Sequence, residues 1–304
     1  MKKYLLTLRD LTADDFEALF ARSFELKQRH GAGIPDRTLQ GKTLGLIFDK
    51  PSTRTRVSFE AAMIQLGGTP VFLSARDTQL IRNEPIVDTA RVLSMYLDGL
   101  VVRMYSQDLL QDLAAAASIP VINGLTDLYH PCQVLSDLMT IMEKKGKLEA
   151  LKIVWVGDGN NVAHSWLNAS AILGLHLVFA CPEGYCPKEE ILEPAVNDTT
   201  GRIVVLSDPQ QAVRDADVIY TDVWASMGQE SESAYRKRLF KPYEVDQALV
   251  AMAKEDVMVM HCLPAHRGEE IAADVLEGAH SVVWDQAENK LHMHKAILEK
   301  LMSG

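Results

Sequence analysis

Cysteine is scarce, long apolar runs are missing and basic residues are in the minority, and each shortage excludes a class of protein. The 304 residues include 4 cysteines. Cys132, Cys181, Cys186 and Cys262 are scattered and form no CxxC pair. That is too few for a disulfide framework, and the spacing matches no usual zinc site. No stretch approaches the roughly 20 apolar residues that a membrane-spanning helix requires. Met1–Asp10 carries two lysines but no apolar run long enough for a signal peptide. The expectation is a cytoplasmic chain with no membrane partner. Lysine and arginine number 31 against 41 acidic residues, a formal net charge of -10. Such a balance gives no overall attraction to nucleic acid or anionic lipid, although local basic sites stay possible. There is no internal repeat and no low-complexity tract.

What is present reads as an ordinary globular protein: 47% hydrophobic and 24% charged residues, long enough for about two domains. Thr12 with Asp15 three residues on makes a capping box, followed by Phe16, Leu19, Phe20 and Phe24 at helical spacing. Short apolar runs then alternate with helix-like segments. Thr43–Phe48, Pro70–Leu73, Leu100–Val102 and Ile119–Ile122 read as buried strands. A second series comprises Ile153–Val156, His176–Ala180, Ile203–Leu206, Val218–Tyr220, Val257–Met260 and Val282–Trp284. The alternation implies βαβ units. The predicted class is α/β: two doubly wound domains, each a mainly parallel sheet flanked by helices, joined by interdomain helices. The polar piece Glu143–Lys147 ends a connecting helix and divides residues 1–145 from 146–287. The segment Glu288–Met302 reads as an amphipathic helix, expected to pack back on the first domain.

Ligands of open parallel sheets lie beyond the carboxyl ends of the strands, and the unusual residues of this sequence cluster there. After Thr43–Phe48 comes Lys50-Pro51-Ser52-Thr53-Arg54-Thr55-Arg56. Hydroxyls, arginines and free backbone N–H groups at a helix start make an anion site. A planar guanidinium suits phosphate because it donates two parallel hydrogen bonds. A lone S-T-R is more often a capped helix start with solvated arginines; five such residues after a buried strand reverse that preference.

Ser52-Thr53-Arg54-Thr55-Arg56 resembles the S-T-R-T-R signature of the carbamoyltransferases. The resemblance implies that Ser52, Thr53, Arg54 and Thr55 hold the phosphate of carbamoyl phosphate. Arg103, at the end of Leu100–Val102, and His130-Pro131-Cys132-Gln133 fit the same family. By itself Arg103 is a strand-end charge and His130 a structural histidine. By resemblance Arg103 contacts the phosphate or carbonyl end, and His130 and Gln133 bind the carbamoyl oxygen and nitrogen. Asp222-Val223-Trp224-Ala225-Ser226-Met227-Gly228 is similar to the D-x-x-x-S-M-G loop of the ornithine-using members. His261-Cys262-Leu263-Pro264 is similar to their H-C-L-P motif. The resemblance places Asp222, Ser226, Met227 and Asn161 on ornithine, and Cys262 and Leu263 against carbamoyl phosphate. It also places Cys262 and Asp222 near the attacking δ-amine. Arg54, Arg103, His130, Asp222 and Cys262 form the implied catalytic set. The implied assembly is a homotrimer or a multiple of it, in which Gln79 reaches a neighbouring subunit's site. The implied partners are carbamoyl phosphate, bound first, and ornithine; no metal or organic cofactor is implied.

Rival readings remain at this point. Gly157-Asp158-Gly159 suggests a dinucleotide-binding dehydrogenase, but the place of the third small residue holds Val162. Aspartate carbamoyltransferases share the phosphate clamp, though not the Ser226-Met227-Gly228 loop or the cysteine of the H-C-L-P motif. Another amine acceptor, or a carbamoyl phosphate-binding paralogue that does not catalyse, stays open because of two departures. Lys290 stands where the family commonly has arginine, and Gln79-Leu80-Ile81-Arg82-Asn83-Glu84 lacks the usual glycine-flanked G-R-G-E.

Overall fold

The computed structural model describes residues 3–74, 84–225 and 232–303, with only the backbone at Ser233. Gln79, Ile81, Arg82, Asn83, Ser226, Met227 and Gly228 lie outside the described residues. The chain forms two compact units, one of residues 1–139 with 288–304 and one of residues 140–287. It passes from the first to the second inside one helix and returns inside another.

The first unit contains β1 (Tyr4–Leu5), α1 (Ala13–Gly31), β2 (Thr43–Phe48), α2 (Thr53–Gln65), β3 (Thr69–Ser74) and α3 (Ile86–Tyr96). It continues through β4 (Gly99–Arg103), α4 (Gln107–Ala116), β5 (Val121–Leu125) and the first part of α5 (Pro131–Lys145). All its strand pairs are parallel, in the order β1-β5-β4-β2-β3. The capping box at Thr12 forms as the sequence predicts: Thr12 Oγ1 accepts from Asp15 N–H at 3.2 Å, and the Asp15 carboxylate accepts from Thr12 N–H at 3.0 Å. Phe16, Leu19, Phe20 and Leu26 bury the inner face of α1.

The second unit contains β6 (Lys152–Val156), α6 (Asn161–Leu173), β7 (His176–Ala180), α7 (Glu189–Asp198), β8 (Arg202–Leu206) and α8 (Pro209–Val213). Then come β9 (Val218–Thr221), α9 (Ser233–Phe240), α10 (Gln247–Val250), β10 (Met258–His261), α11 (Ala273–Leu276) and the start of α12 (Val283–Met302). Its strands are again parallel, in the order β10-β9-β6-β7-β8. The central strands of both sheets are apolar on both faces because helices cover both; β4 is buried along its whole length and β9 likewise.

Each sheet has one place where strand order reverses. In the first unit it lies between β2 and β4, whose ends are joined at the register pair Phe48–Arg103. In the second it lies between β6 and β9, joined at Val156–Thr221. Connections leave such a pair on opposite faces of the sheet, opening a crevice beyond the carboxyl ends.

The structure corrects some element predictions. Val282–Trp284 is not a strand: Val282 N–H donates to the Val259 carbonyl at 3.0 Å, and Val283 already begins α12. Three branched or aromatic residues are too few to separate a strand from a helix start. The predicted strand Ile119–Ile122 lies two residues later, as β5, since Pro120 has no N–H to give a ladder. The two-residue β1 was not predicted. The α12 residues that return to the first unit are held there by Glu299, which accepts two hydrogen bonds from Arg22 at 2.6 and 2.9 Å, and by a 2.7 Å ion pair between Lys300 and Asp15.

Candidate active site

In the first unit the crevice residues stem from three strand ends. After β2, Asp49 N–H donates to the Arg103 carbonyl at 2.8 Å, tying the ends of β2 and β4 together. Ser52 is the N-cap of α2, its Oγ accepting from Thr55 N–H at 3.3 Å. The first turn of α2 has no acidic residue, so the positive end of the helix dipole is left for an anion. A cleft of about 530 Å³ opens beside Lys50, Ser52, Thr53 and Arg56. Arg56 is engaged by its own surroundings: its guanidinium lies 3.4 Å above the Phe72 ring and Nε bonds Glu60 at 3.0 Å. Lys50, to which the sequence pattern gives no role of its own, is buried, paired with Asp127 and placed over the Tyr105 ring at 4.0 Å.

Arg103 ends β4 and is buried. His130 precedes Pro131 at the start of α5 and is buried too. Burial first, then the charges of Lys290, Arg103 and Arg54 along with His294, hold its pKa well below the usual 6.5. The imidazole is therefore neutral, and its depression reports that these cations gather around it. Gln133, one turn into α5, donates from Nε2 to Asp137 Oδ1 at 2.8 Å and accepts from Lys290 Nζ at 2.8 Å. The structure thus brings Arg54, Arg103, His130, Gln133 and Lys290 into one positively charged cluster.

In the second unit the ends of β6, β9 and β10 lie side by side through the pairs Val156–Thr221 and Thr221–His261. Asn160 caps α6: its Oδ1 accepts from Val162 and Ala163 N–H at 2.9 and 3.3 Å, leaving Nδ2 to donate to Asp222 Oδ2 at 2.7 Å. The other oxygen, Oδ1, accepts from Val223 N–H at 2.8 Å and from the Cys262 thiol at 2.9 Å. Asp222 is thereby fixed from three directions. Asn161, the asparagine singled out in the sequence, is the first residue of α6, and its carbonyl accepts from Ser165 at 3.0 Å. The residue that holds Asp222 is its neighbour Asn160. Its N-cap role was readable as an amide one position before a helix; its bond to Asp222, 62 positions away, was not.

His261 is a support. Nδ1 accepts from Leu263 N–H at 2.8 Å, so the ring proton sits on Nε2, facing Glu270 Oε1 at 3.1 Å. Its backbone N–H donates to Gln286, which donates in turn to the Tyr220 hydroxyl. Leu263 has φ 58, a left-handed backbone that costs a branched side chain energy and that collects at functional sites. Gly159 packs so tightly that a Cβ there would lie 2.2 Å from Pro187 N. The close approach that a dinucleotide fingerprint reserves for a pyrophosphate is taken here by the chain itself. Among the described residues, Asp222, His261 and Cys262 have ligand atoms within 4.8 Å of one another, as do His266, Glu269 and Glu270. In the first group each already bonds a protein partner.

Residues 3–143 match the aspartate/ornithine carbamoyltransferase carbamoyl-P binding domain, and residues 149–301 the Asp/Orn binding domain. Ornithine carbamoyltransferase of Syntrophus aciditrophicus (strain SB) is 58% identical over 302 residues, which is 99% of this chain and 100% of that one. The chain belongs to the ornithine carbamoyltransferase family. Another ornithine carbamoyltransferase, the anabolic one of Pyrococcus furiosus, is 54% identical over 305 residues, covering 99% of this chain and 96% of the relative. The solved structure of ornithine carbamoyltransferase from Pyrococcus furiosus superposes with a TM-score of 0.96 at 53% identity, covering 100% of this chain and 98% of that one. Like that structure, this chain is an α/β fold with two parallel sheets flanked by helices. Among its described residues no helix is long and apolar enough to cross a membrane.

Proposed function

We infer that this chain is an enzyme that transfers the carbamoyl group of carbamoyl phosphate to the δ-amine of L-ornithine, giving L-citrulline and phosphate. The observation that carries the reading is identity of 58% to an ornithine carbamoyltransferase along essentially the whole of both chains. Transfer to a different amine, or loss of catalysis, is not favoured.

The residue roles proposed are those the family resemblance implies, and charge and geometry support them. Carbamoyl phosphate enters as a dianion, and the pocket of the first unit supplies the α2 N-terminus with Ser52, Thr53 and Thr55, and the cations Arg54, Arg103 and Lys290. The carbamoyl oxygen becomes an oxyanion when the amine attacks. A neutral His130 donates to it without the cost of adding a fourth positive charge, and one such donor is worth ~10²–10³ in rate. Gln133 turns its amide to the carbamoyl nitrogen, with Leu263 and Cys262 as further contacts.

The δ-amine has a free pKa near ~10.4 and must lose a proton before it attacks. Asp222, held by Asn160, Val223 N–H and Cys262, receives the ammonium form, and the Cys262–Asp222 pair handles the departing proton. The neutral amine then adds to the carbonyl carbon, and the C–O bond to phosphate breaks. No covalent intermediate on the protein is required, and no metal or organic cofactor enters the step. Asn161, with Ser226 and Met227 outside the described residues, takes the α-amino-acid head. Gln79, also outside them, completes a neighbouring site in a cytoplasmic homotrimer or a multiple of it. The anabolic direction is supported by the Pyrococcus furiosus relative.

The test is citrulline formation by purified protein from carbamoyl phosphate and ornithine, with aspartate and putrescine in parallel. Product with ornithine alone is expected. Turnover of another amine, or none with any acceptor by folded protein, overturns the assignment. Light scattering of the same preparation tests the trimer.

A further inference from the structure

Three of the four cysteines take no part in the reaction above, and two of them, Cys181 and Cys186, share a side-chain hydrogen bond. Cys181 directly follows β7 and is buried, its N–H donating to the Leu206 carbonyl at 3.1 Å. Pro182, Glu183, Gly184 and Tyr185 form a tight turn: Tyr185 N–H returns to the Pro182 carbonyl at 3.0 Å, and Gly184 takes φ +81. The turn reverses the chain, so Cys186 comes back beside Cys181. Cys186 is exposed, and the buried Cys181 thiol donates a hydrogen bond to its sulfur. One accessible sulfur with one buried sulfur in reach is the arrangement of an attacking and a resolving thiol.

The same turn is the wall on which the Gly157–Asn160 loop rests. Gly159 N–H donates to the Tyr185 carbonyl at 2.8 Å, and a Cβ on Gly159 would lie 2.4 Å from the Cys186 carbonyl carbon. The next residue is Asn160, whose amide fixes Asp222. The Tyr185 ring also lies 4.7 Å beneath Arg236, the ion-pair partner of Asp158 at 3.3 Å.

We propose that Cys186 is a thiol-modification site with Cys181 as its resolving partner, a pair that passes reversibly to a disulfide on meeting a low-molecular-weight disulfide and thereby loosens the loop that positions Asp222. The Cys186 thiolate attacks one sulfur of the disulfide RSSR. That S–S bond breaks, RS⁻ leaves and takes a proton, and a mixed disulfide stays on Cys186. Cys181 then gives up its proton and attacks the Cys186 sulfur, expelling the second thiol. Two cysteines are oxidised and one RSSR is reduced to two RSH. The hydrogen bond from Cys181 lowers the Cys186 pKa to about 7, so near neutral pH about half is thiolate, against a few per cent for an ordinary cysteine. In a reducing compartment such a pair is a transient, sensing disulfide rather than a structural one. Closing it pulls on the turn, to which the Gly159 N–H is hydrogen-bonded at 2.8 Å.

The experiment treats the native, reduced enzyme with glutathione disulfide, blocks remaining thiols and maps peptides by mass spectrometry. A Cys181–Cys186 cross-link is expected in the native protein, with C181S arrested at a glutathione adduct on Cys186. A lasting adduct on Cys186 in the native protein overturns the resolving role of Cys181. Modification of Cys262 with Cys186 untouched overturns the site. Oxidation should raise KM for ornithine at least ~5-fold, the low end of ordinary coupling between sites. It should leave KM for carbamoyl phosphate unchanged, reverse with dithiothreitol and vanish in C186S. An unchanged ornithine KM in the cross-linked enzyme overturns the coupling. The coupling rests on the ornithine role given to Asp222. If the reduced enzyme forms no citrulline, that role fails while the peptide map still decides the thiol chemistry.

Discussion

Lys290 donates a 2.8 Å hydrogen bond to Oε1 of Gln133, and both side chains are buried. The opposite end of the same amide donates to Asp137. With a cation on one side and a carboxylate on the other, only one orientation of the Gln133 amide satisfies both partners. Lys290 thus keeps the charge of the family's more common arginine and spends one of its three N–H donors on orienting Gln133.

Replacing Lys290 by methionine keeps most of the volume and removes the charge. The kcat/KM for carbamoyl phosphate is expected to fall ~10–100-fold, the cost of one charge-assisted hydrogen bond and its electrostatic pull. Lys290→Arg should retain most of the activity, since the guanidinium can hold Gln133 and still face the substrate. Steady-state kinetics decides it: an unaffected K290M enzyme removes Lys290 from the pocket's function.

Arg54→Ala tests the clamp. Of the two arginines in the motif, Arg56 is committed to Phe72 and Glu60, which supports the proposed role of Arg54 as the phosphate ligand. Carbamoyl phosphate affinity should drop ~10–100-fold while the circular dichroism spectrum and melting temperature stay close to the parent's. Calorimetric titration giving the parent's Kd would sink the assignment.

Cys262→Ala and Asp222→Asn separate the proton step from ornithine binding. The first should slow kcat by about tenfold to a hundredfold and move the pH optimum, because it removes one member of the pair proposed to receive the proton. The second keeps the shape but loses the charge that attracts the ammonium, so KM for ornithine should rise by about ten- to a hundredfold. An unaltered pH profile for C262A leaves that cysteine only a packing role.

His130 and His294 are both held well below 6.5, burial being the largest cause in each. His294 stacks on Phe59 at 3.7 Å and bonds Ser58. The sign follows from where the protons go. The unfolded chain takes up a proton on each histidine near pH ~6.5 and the folded one does not, so each contributes stability above that pH that is lost as pH falls below it. The loss is roughly 1 kcal/mol per pH unit per histidine. Urea unfolding from about pH 7 to 5 should show this slope reduced by about half in a His294→Asn variant. In NMR spectra the His130 ring should show no titration near 6.5; a midpoint there would mean it is not neutralised by its site.

Gly159→Ala should destabilise the protein by ~1–3 kcal/mol, since the new methyl meets backbone rather than a side chain that can swing away. The denaturation midpoint measures it, and an unchanged midpoint would show that the loop has room.

Much of this was readable from the residues alone, for identifiable reasons. Strands buried on both faces, such as Leu44–Phe48 and Val218–Tyr220, announce themselves as unbroken apolar runs, and the hydroxyl-arginine motif after the first of them marks an anion site. Val282–Trp284 deceived because three apolar residues fit a strand and a helix start equally well. Tyr4–Leu5 is too short to carry any periodicity. Lys50 and Asn160 were missed as working parts for another reason: their partners, Asp127 and Asp222, are 77 and 62 positions away. No local pattern reveals that kind of pairing; it exists only once the strand order is known.

The division of the chain has a consequence for biosynthesis. The second unit is one uninterrupted segment, whereas the first must wait for residues 288–302, which include Lys290. At ordinary ribosomal speeds of about 5–20 residues per second, the roughly 150 intervening residues delay it by about seven to thirty seconds. The first 139 residues therefore wait through the synthesis of the whole second unit before the lysine that bonds Gln133 is made. The nascent chain acquires the grip on its reactive substrate last.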